Sequence, residues 1–363
     1  MLQGHFISMT FKDYRPMKSD LSTLGTSGNL IFDWWCELRG YTAPLFFTIT
    51  GLVFVYLLTG NKSDSFWKQK RVRKGIKRGI SIMLWGYLLQ INLKNVSYYL
   101  SGRINDRFFA FHVLQSIGLG ILVLILIYSI HYTFKKIKLS ILLFSCGVLI
   151  FFFQPIIESY GNSYFPSFAP KIIQNMIHGP NSIFPIFPWI GYVFMGGTIG
   201  AIIREQLHRV KEKRFPLKFA LIGTSIFLVF MGIFHLIDFI IPNQYEFSNS
   251  GWYFDCLIKI LLLISILMYL EQFMKFKKST FIMMGQNTLS IYIVHVIILY
   301  GSLFGIGIRT WYDKSLTFNQ SIIGAILFIL FFGVFTIVQP IVKAFLFDKF
   351  NQYFRPNFKA KSE

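Results

Sequence analysis

The chain has 363 residues, of which 54% are hydrophobic and only 14% are charged, and its formal net charge at pH 7 is +20. An ordinary soluble domain is more charged and less apolar, so this composition excludes that class and indicates an integral membrane protein. The basic excess would also suit a nucleic-acid partner, so its distribution along the chain decides between the two interpretations.

Long apolar segments recur along the chain, and each is long enough to cross about 30 Å of hydrocarbon. They predict nine full membrane spans near residues 41–59, 79–98, 109–130, 139–157, 184–203, 219–241, 253–271, 281–303 and 320–342. Residues 1–11 are apolar and helix-compatible but too short to cross. The sequence therefore predicts an all-α, polytopic integral membrane bundle of about ten transmembrane helices, the first one truncated. We expect residues 1–363 to form a single domain.

The positive charge lies on one side of these predicted spans. Alternation of the spans places 25 of the 36 lysines and arginines on the same side, in residues 61–78, 131–138, 204–218, 272–280 and 343–363. Basic loops face the cytoplasm, so we expect a multi-pass protein of the cell membrane with a cytoplasmic C-terminus. Topology thus explains the charge and argues against nucleic-acid binding. Residues 62–78 predict an interfacial helix that contacts anionic lipids, and the phosphates of coenzyme A are an alternative ligand.

Polar side chains occur near the outward ends of two early spans. Arg39 precedes the second apolar segment, where it would contact either lipid headgroups or a pocket. His112, Gln115 and Ser116 lie at i, i+3 and i+4, so they share one face of a predicted helix. Such a face suits hydrogen bonding between helices and substrate contact equally well.

A loop, two pairs of charged or titratable residues and the cysteines were also considered as functional features. The outward loop 158–185 is rich in aromatic residues, glycine and proline, which suits either stacking on a sugar or packing against the bundle. Asp255 and Lys259 lie four residues apart and predict a structural ion pair, whereas His235 with Asp238 is left undecided. The three cysteines lie far apart, so the sequence implies neither a disulfide framework nor a metal site.

Residues 285–300 form the most informative apolar segment, which reads G-Q-N-T-L-S-I-Y-I-V-H-V-I-I-L-Y. On a helix, Thr288, Tyr292 and His295 fall at i, i+4 and i+7, and Asn287 lies at the edge of the same arc. One face is therefore polar, and we expect it to face the bundle interior. These side chains would either join helices or form a site.

Several motifs resemble those of the heparan-α-glucosaminide N-acetyltransferase-like membrane acyltransferases and, more loosely, the acyltransferase-3 group. They are Gly285-x-Asn-Thr-Leu-x-x-Tyr-x-x-His, Val113-Leu-Gln-x-x-Gly, Pro188-Trp-x-Gly, and His5 at the end of the first apolar segment. The resemblance implies a first helix that lacks its start. It also implies transfer of an acyl group, acetyl foremost, from cytoplasmic acyl-CoA to a glycan or amino-sugar acceptor at the outer face, as in polysaccharide modification. Acetyl-CoA would be the donor substrate, and no metal is implied.

The resemblance makes His5 the expected general base or acyl carrier, since histidine ordinarily titrates near neutral pH. We predict His5 and His295 as catalytic residues, and Arg39, His112, Gln115, Asn287 and Tyr292 as substrate-binding residues. For this site to work, His5, Gln115 and His295 must share one cavity. A transporter or flippase of a lipid-linked saccharide is the alternative, because transport also needs a polar-lined bundle. Homo-oligomerisation is left open.

Overall fold

A computed structural model describes residues 1–12, 14, 30–60, 65–103, 106–134, 136–160, 169–179, 181–240, 245–274 and 280–354. Within these ranges the backbone is overwhelmingly helical, and the only β-structure is two isolated bridges. The α-helices are α1 (Leu2–Thr10), α2 (Leu30–Gly40), α3 (Thr42–Leu58), α4 (Lys70–Leu88), α5 (Val96–Leu100), α6 (Val113–Thr133), α7 (Leu139–Tyr160), α8 (Lys171–His178), α9 (Ile186–Glu205), α10 (Phe215–Ile240), α11 (Gly251–Glu271), α12 (Thr280–Gln286), α13 (Thr288–Tyr300), α14 (Ile308–Tyr312) and α15 (Phe318–Phe354).

Seven helical segments in the described part of the chain are long and apolar enough to cross a membrane. They are Leu30–Leu58, Asp106–Thr133, Leu139–Tyr160, Ile186–Glu205, Phe215–Ile240, Phe247–Glu271 and Phe318–Val342. The predicted class, an all-α polytopic membrane protein, is confirmed. Helix α13 is apolar but shorter than these seven.

The span predicted at 79–98 and the interfacial helix predicted at 62–78 are wrong in their boundaries. One helix, α4, begins at Lys70 and ends at Leu88. Its buried positions are Val72, Gly75, Gly79, Ile82 and Gly86, a spacing of alternately three and four residues that runs through the basic half without a break. Lysine and arginine are good helix formers, so the charge does not end the helix.

Three other predicted boundaries also differ. The predicted span 281–303 is divided into α12 and α13 at Asn287, whose φ and ψ are −99° and 18°. The helical segment that contains the predicted span 41–59 begins earlier, because α2 begins at Leu30. The predicted outward loop 158–185 contains α8, and residues 161–168 of that loop lie outside the described ranges.

The described residues fall into two units, and the larger comprises residues 17–91 and 95–275. Helix α9 lies at its centre, with most of its residues buried, and packs most extensively on α3. The two backbones touch at glycines: a Cβ on Gly51 would lie 2.9 Å from the Gly197 nitrogen, and one on Gly196 would lie 2.6 Å from the Thr48 carbonyl carbon. Close packing at small residues is a common way to join helices in a membrane.

The smaller unit comprises residues 1–16, 92–94 and 276–363. Helix α1 packs on α15, where Phe6 lies over Gly324 and the Thr10 hydroxyl donates to Ser321 Oγ at 3.4 Å. The chain after α1 is paired with the segment before α15, since the Leu316 amide donates to the Thr10 carbonyl at 2.9 Å. These contacts fix the position of α1 along α15 and thereby the place of His5.

Candidate active site

The smaller unit brings two histidines together. His5 on α1 and His295 on α13 have ring centroids 5.2 Å apart, with the ring planes inclined at 44°. The Nδ1 atom of His5 lies 2.7 Å from the hydroxyl oxygen of Tyr300, and the Tyr292 ring meets the His295 ring edge-on at 5.0 Å. We call these four residues the histidine–tyrosine cluster.

The hydrogen bonds of His295 determine where its proton lies. Its Nδ1 atom is 3.3 Å from the Ile291 carbonyl oxygen, which can only accept, so Nδ1 carries the proton in the neutral ring. The lone pair is then on Nε2, which is buried and has no hydrogen-bond partner among the described residues. The whole side chain is fully buried. His295 therefore presents a proton acceptor inside the unit.

The Tyr300 hydroxyl holds His5 in either of two tautomers. If the His5 Nδ1–H donates to Tyr300, the His5 Nε2 carries the ring's lone pair, the atom that can accept a proton or attack a carbonyl carbon. If the phenol donates instead, Nε2 carries the proton and can deliver it. The cluster thus combines imidazoles, whose ring nitrogens can accept and donate a proton, with phenols, which orient them. Tyr300 was not predicted from the sequence.

The polar residues at the start of α13 satisfy the end of α12. The Asn287 side-chain amide donates to the Met283 carbonyl at 3.0 Å, and the Thr288 hydroxyl donates to the Gly285 carbonyl at 2.5 Å. The last carbonyls of a helix have no partner within it, so these bonds stabilise the break between the two helices. The proposed substrate contact of Asn287 stays a prediction.

The other predicted site residues belong to the larger unit. Arg39 is at the end of α2, with its guanidinium carbon 5.8 Å from the Trp35 ring centroid. His112 is half-buried and immediately precedes α6. Gln115 is fully buried, and neither of its amide atoms has a hydrogen-bond partner among the described residues. The structure thus joins His5, Tyr292 and His295, and a cavity shared with Gln115 stays a prediction.

The predicted ion pair of Asp255 with Lys259 is confirmed, with a carboxylate-to-ammonium distance of 2.9 Å. The pair is part of a larger polar network with two residues that the sequence analysis missed, Glu37 and Tyr41. Lys259 also lies 3.4 Å from the buried Glu37 carboxylate and donates to the Tyr41 hydroxyl, which itself donates to Glu37. Glu37 and Tyr41 are four residues apart, and this spacing was the available signal. The four side chains join the α2–α3 region to α11.

Asp238 has a structural role as well. Its carboxylate accepts hydrogen bonds from the backbone amides of Phe247 at 2.8 Å and Ser248 at 2.5 Å, which closes the connection between α10 and α11. In the described ranges, no group of three or more histidine, cysteine, aspartate or glutamate side chains could hold a metal ion.

The fold and the histidine–tyrosine cluster define a polytopic, all-α membrane protein with a pair of imidazoles in contact within its smaller unit. The model of the heparan-alpha-glucosaminide N-acetyltransferase catalytic domain matches residues 17–231. The match covers more than half of the chain, and the chain belongs to this family. Membership implies a membrane acetyltransferase in general terms.

The match has a limited extent. No curated protein and no solved structure matches the chain. The matched residues include Arg39, His112 and Gln115, whereas His5 and His295 lie outside them. The roles of the two histidines therefore depend on their geometry and on the motif resemblance.

Proposed function

We propose that the chain, as a single membrane domain over residues 1–363, transfers an acetyl group from cytoplasmic acetyl-CoA to a hydroxyl or amine of a glycan or amino sugar at the outer face of the cell membrane. The close pair of His5 and His295 carries the proposal, because a transferase needs a proton acceptor beside the reacting groups. Family membership supports acetyl transfer. The basic loops support the cytoplasmic side for the donor.

His5 is the proposed reacting group. As a general base, its Nε2 takes the proton of the acceptor while the acceptor oxygen or nitrogen attacks the thioester carbonyl carbon, and the coenzyme A thiolate leaves. As an acyl carrier, Nε2 itself attacks the thioester and expels the thiolate, and the acetyl-imidazole then passes its acetyl group to the acceptor. In both routes the proton taken from the acceptor ends on the thiolate or on solvent.

The other residues of the cluster support His5. Tyr300 is a positioning residue, because its hydroxyl lies 2.7 Å from the His5 Nδ1 and orients the ring in either tautomer. His295 offers its unpartnered Nε2 as a second proton acceptor. Tyr292 and Asn287, together with Arg39, His112 and Gln115, are the proposed substrate contacts.

Acetyl transfer in membranes tests the proposal directly. Membranes that contain the full chain receive acetyl-CoA labelled in the acetyl group, with methyl glycosides of glucose and glucosamine as acceptors. We expect His5→Ala to abolish transfer and His208→Ala to leave it unchanged, since His208 is an exposed histidine outside the cluster. Equal membrane insertion of both variants shows that the loss is chemical.

Two results would contradict the proposal. Full transfer by His5→Ala would remove His5 from the mechanism. Saccharide uptake into sealed vesicles without any acetyl transfer would favour the transporter, which a polar-lined helix bundle also suits.

A further inference from the structure

The N-terminal half of α4 carries a concentrated positive charge on its surface. Six of its basic side chains are exposed: Lys70, Arg71, Arg73, Lys74, Lys77 and Arg78. In the ranges that the structure describes, none of the six forms an ion pair with a carboxylate. Like charges three and four residues apart on a helix repel one another, so an anionic partner would stabilise this surface.

The second half of the same helix face is apolar and also exposed. Lys70, Lys77, Leu84 and Leu88 fall at i, i+7, i+14 and i+18, so they share one side of α4. That side lies opposite the positions that α4 buries. Leu84 is 64% exposed and Leu88 is 39% exposed. We call this side the α4 stripe, and its residues are Lys70, Arg73, Lys74, Lys77, Leu84 and Leu88.

The packing of α4 on α6 sets the depth of these charges along a membrane-spanning helix. A Cβ on Gly75 would lie 2.9 Å from Ile125 Cδ1, and one on Gly79 would lie 2.9 Å from a methyl carbon of Leu122. Lys77, between the two glycines, is therefore level with the middle of α6. That helix continues for about 12 Å beyond Ile125 before it ends at Thr133.

Exposed apolar side chains of α6 lie at the same depth as the charges of α4. Leu126 is 58% exposed and lies nearer to the end of α6 than Leu122 does. Acyl chains would cover Leu126, whereas a charge among acyl chains is costly. Long basic side chains reduce this cost when they extend toward lipid headgroups. The cost falls further if headgroups lie deeper beside α4 than beside α6.

The order of charge and apolar surface along the α4 stripe matches an anionic lipid. The charged half lies toward the side of the basic loops, and the apolar half lies toward the interior of the membrane. A soluble phosphate compound would match the charged half alone. We propose that the α4 stripe binds an anionic glycerophospholipid of the cytoplasmic leaflet, with the phosphate on Arg73, Lys74 and Lys77 and an acyl chain along Leu84 and Leu88. This proposal does not depend on acetyl transfer.

Lipid retention measures the proposed preference directly. The full chain is reconstituted in bilayers of equal amounts of phosphatidylglycerol and phosphatidylcholine with the same acyl chains. It is then extracted in detergent, and native mass spectrometry counts both lipids on the protein. We expect the wild type to retain phosphatidylglycerol in excess. The excess should fall as the salt concentration rises, because salt screens exposed charges.

A triple variant, Arg73→Gln/Lys74→Gln/Lys77→Gln, removes the charge from the proposed phosphate contact. Its preference for phosphatidylglycerol should fall at least roughly tenfold, since each basic side chain near an anionic surface adds to the attraction. Glutamine is a good helix former and the three positions are exposed, so α4 should stay folded. Lys77→Gln alone should lower the preference roughly threefold to fivefold, and it serves if the triple variant does not insert.

The matched control removes three exposed charges from the connection between α9 and α10. Lys211→Gln/Lys213→Gln/Arg214→Gln should keep the wild-type preference, because these residues lie outside the α4 stripe. Pyrophosphate, added at constant ionic strength, should leave the retained lipid in place.

Three results would overturn the proposal. The first is an unchanged preference in the variants of the α4 stripe. The second is an equal loss in the control variant, which would show that net charge rather than this face selects the lipid. The third is displacement of the lipid by pyrophosphate, which would assign the face to a soluble phosphate compound.

Discussion

The glycine contact between α3 and α9 yields the sharpest stability prediction. A Cβ on Gly196 would lie 2.6 Å from the Thr48 carbonyl carbon and 2.9 Å from its Cα. Non-bonded carbon atoms prefer separations of roughly 3.5–4.0 Å, so Gly196→Ala forces the two backbones apart by about 1 Å. The obstacle is backbone rather than a flexible side chain, and local repacking cannot relieve it.

The size of the effect follows from two opposing terms. Overpacking a tight contact costs about 1–3 kcal/mol, and it acts here on the most extensive helix pairing of the larger unit. Alanine is favoured over glycine within a helix by about 1 kcal/mol, which offsets part of this. We expect a net loss of about 1–2 kcal/mol, which lowers the melting temperature by several degrees.

Gly232→Ala is the matched control, because a Cβ there would have no described atom within 4 Å. Both variants are compared with the wild type by size-exclusion chromatography of detergent extracts after a temperature ramp. Gly232→Ala should melt at the wild-type temperature or higher, since only the helix-propensity term acts on it. If Gly196→Ala melts together with Gly232→Ala, the backbone contact between α3 and α9 is not tight and the reasoning fails.

Three further predictions concern the polar networks. Tyr300→Phe should lower kcat for acetyl transfer roughly fivefold to tenfold at an unchanged KM, because His5 loses one orienting hydrogen bond. Steady-state kinetics measure both constants, and an unchanged kcat would show that Tyr300 does not position His5. Lys259→Met should cost about 2–3 kcal/mol in stability, less than for a fully buried pair because Lys259 is half-exposed, and adding Glu37→Gln should recover part of the loss in thermal melts. Asp238→Ala should lower the free energy of unfolding by about 1–3 kcal/mol, because two hydrogen bonds to backbone amides are lost. An unshifted melting temperature would show that these two hydrogen bonds contribute nothing to stability.

The positions of the long apolar helices are the part of this fold that the sequence predicts well. A segment that must cross about 30 Å of hydrocarbon has few alternatives to a long apolar helix, so most spans were found near their true positions. The start of α4 was missed because basic residues interrupt hydropathy without interrupting the helix. The break at Asn287 was missed because two successive helices have the same local periodicity as one.

The candidate site was predictable only as far as one helix can show it. The spacing of Tyr292 and His295 places both rings on one face of α13, and the structure keeps them in edge-on contact. The pairing of His5 with His295 and Tyr300 depends instead on where α1 lies along α15, which Phe6, Gly324 and the backbone pairing at Leu316 determine. Those contacts join residues about 300 positions apart, and no periodicity within a helix encodes them. The motif at 285–295 therefore identifies His295 as a candidate, but only the packing of α1 places His5 beside it.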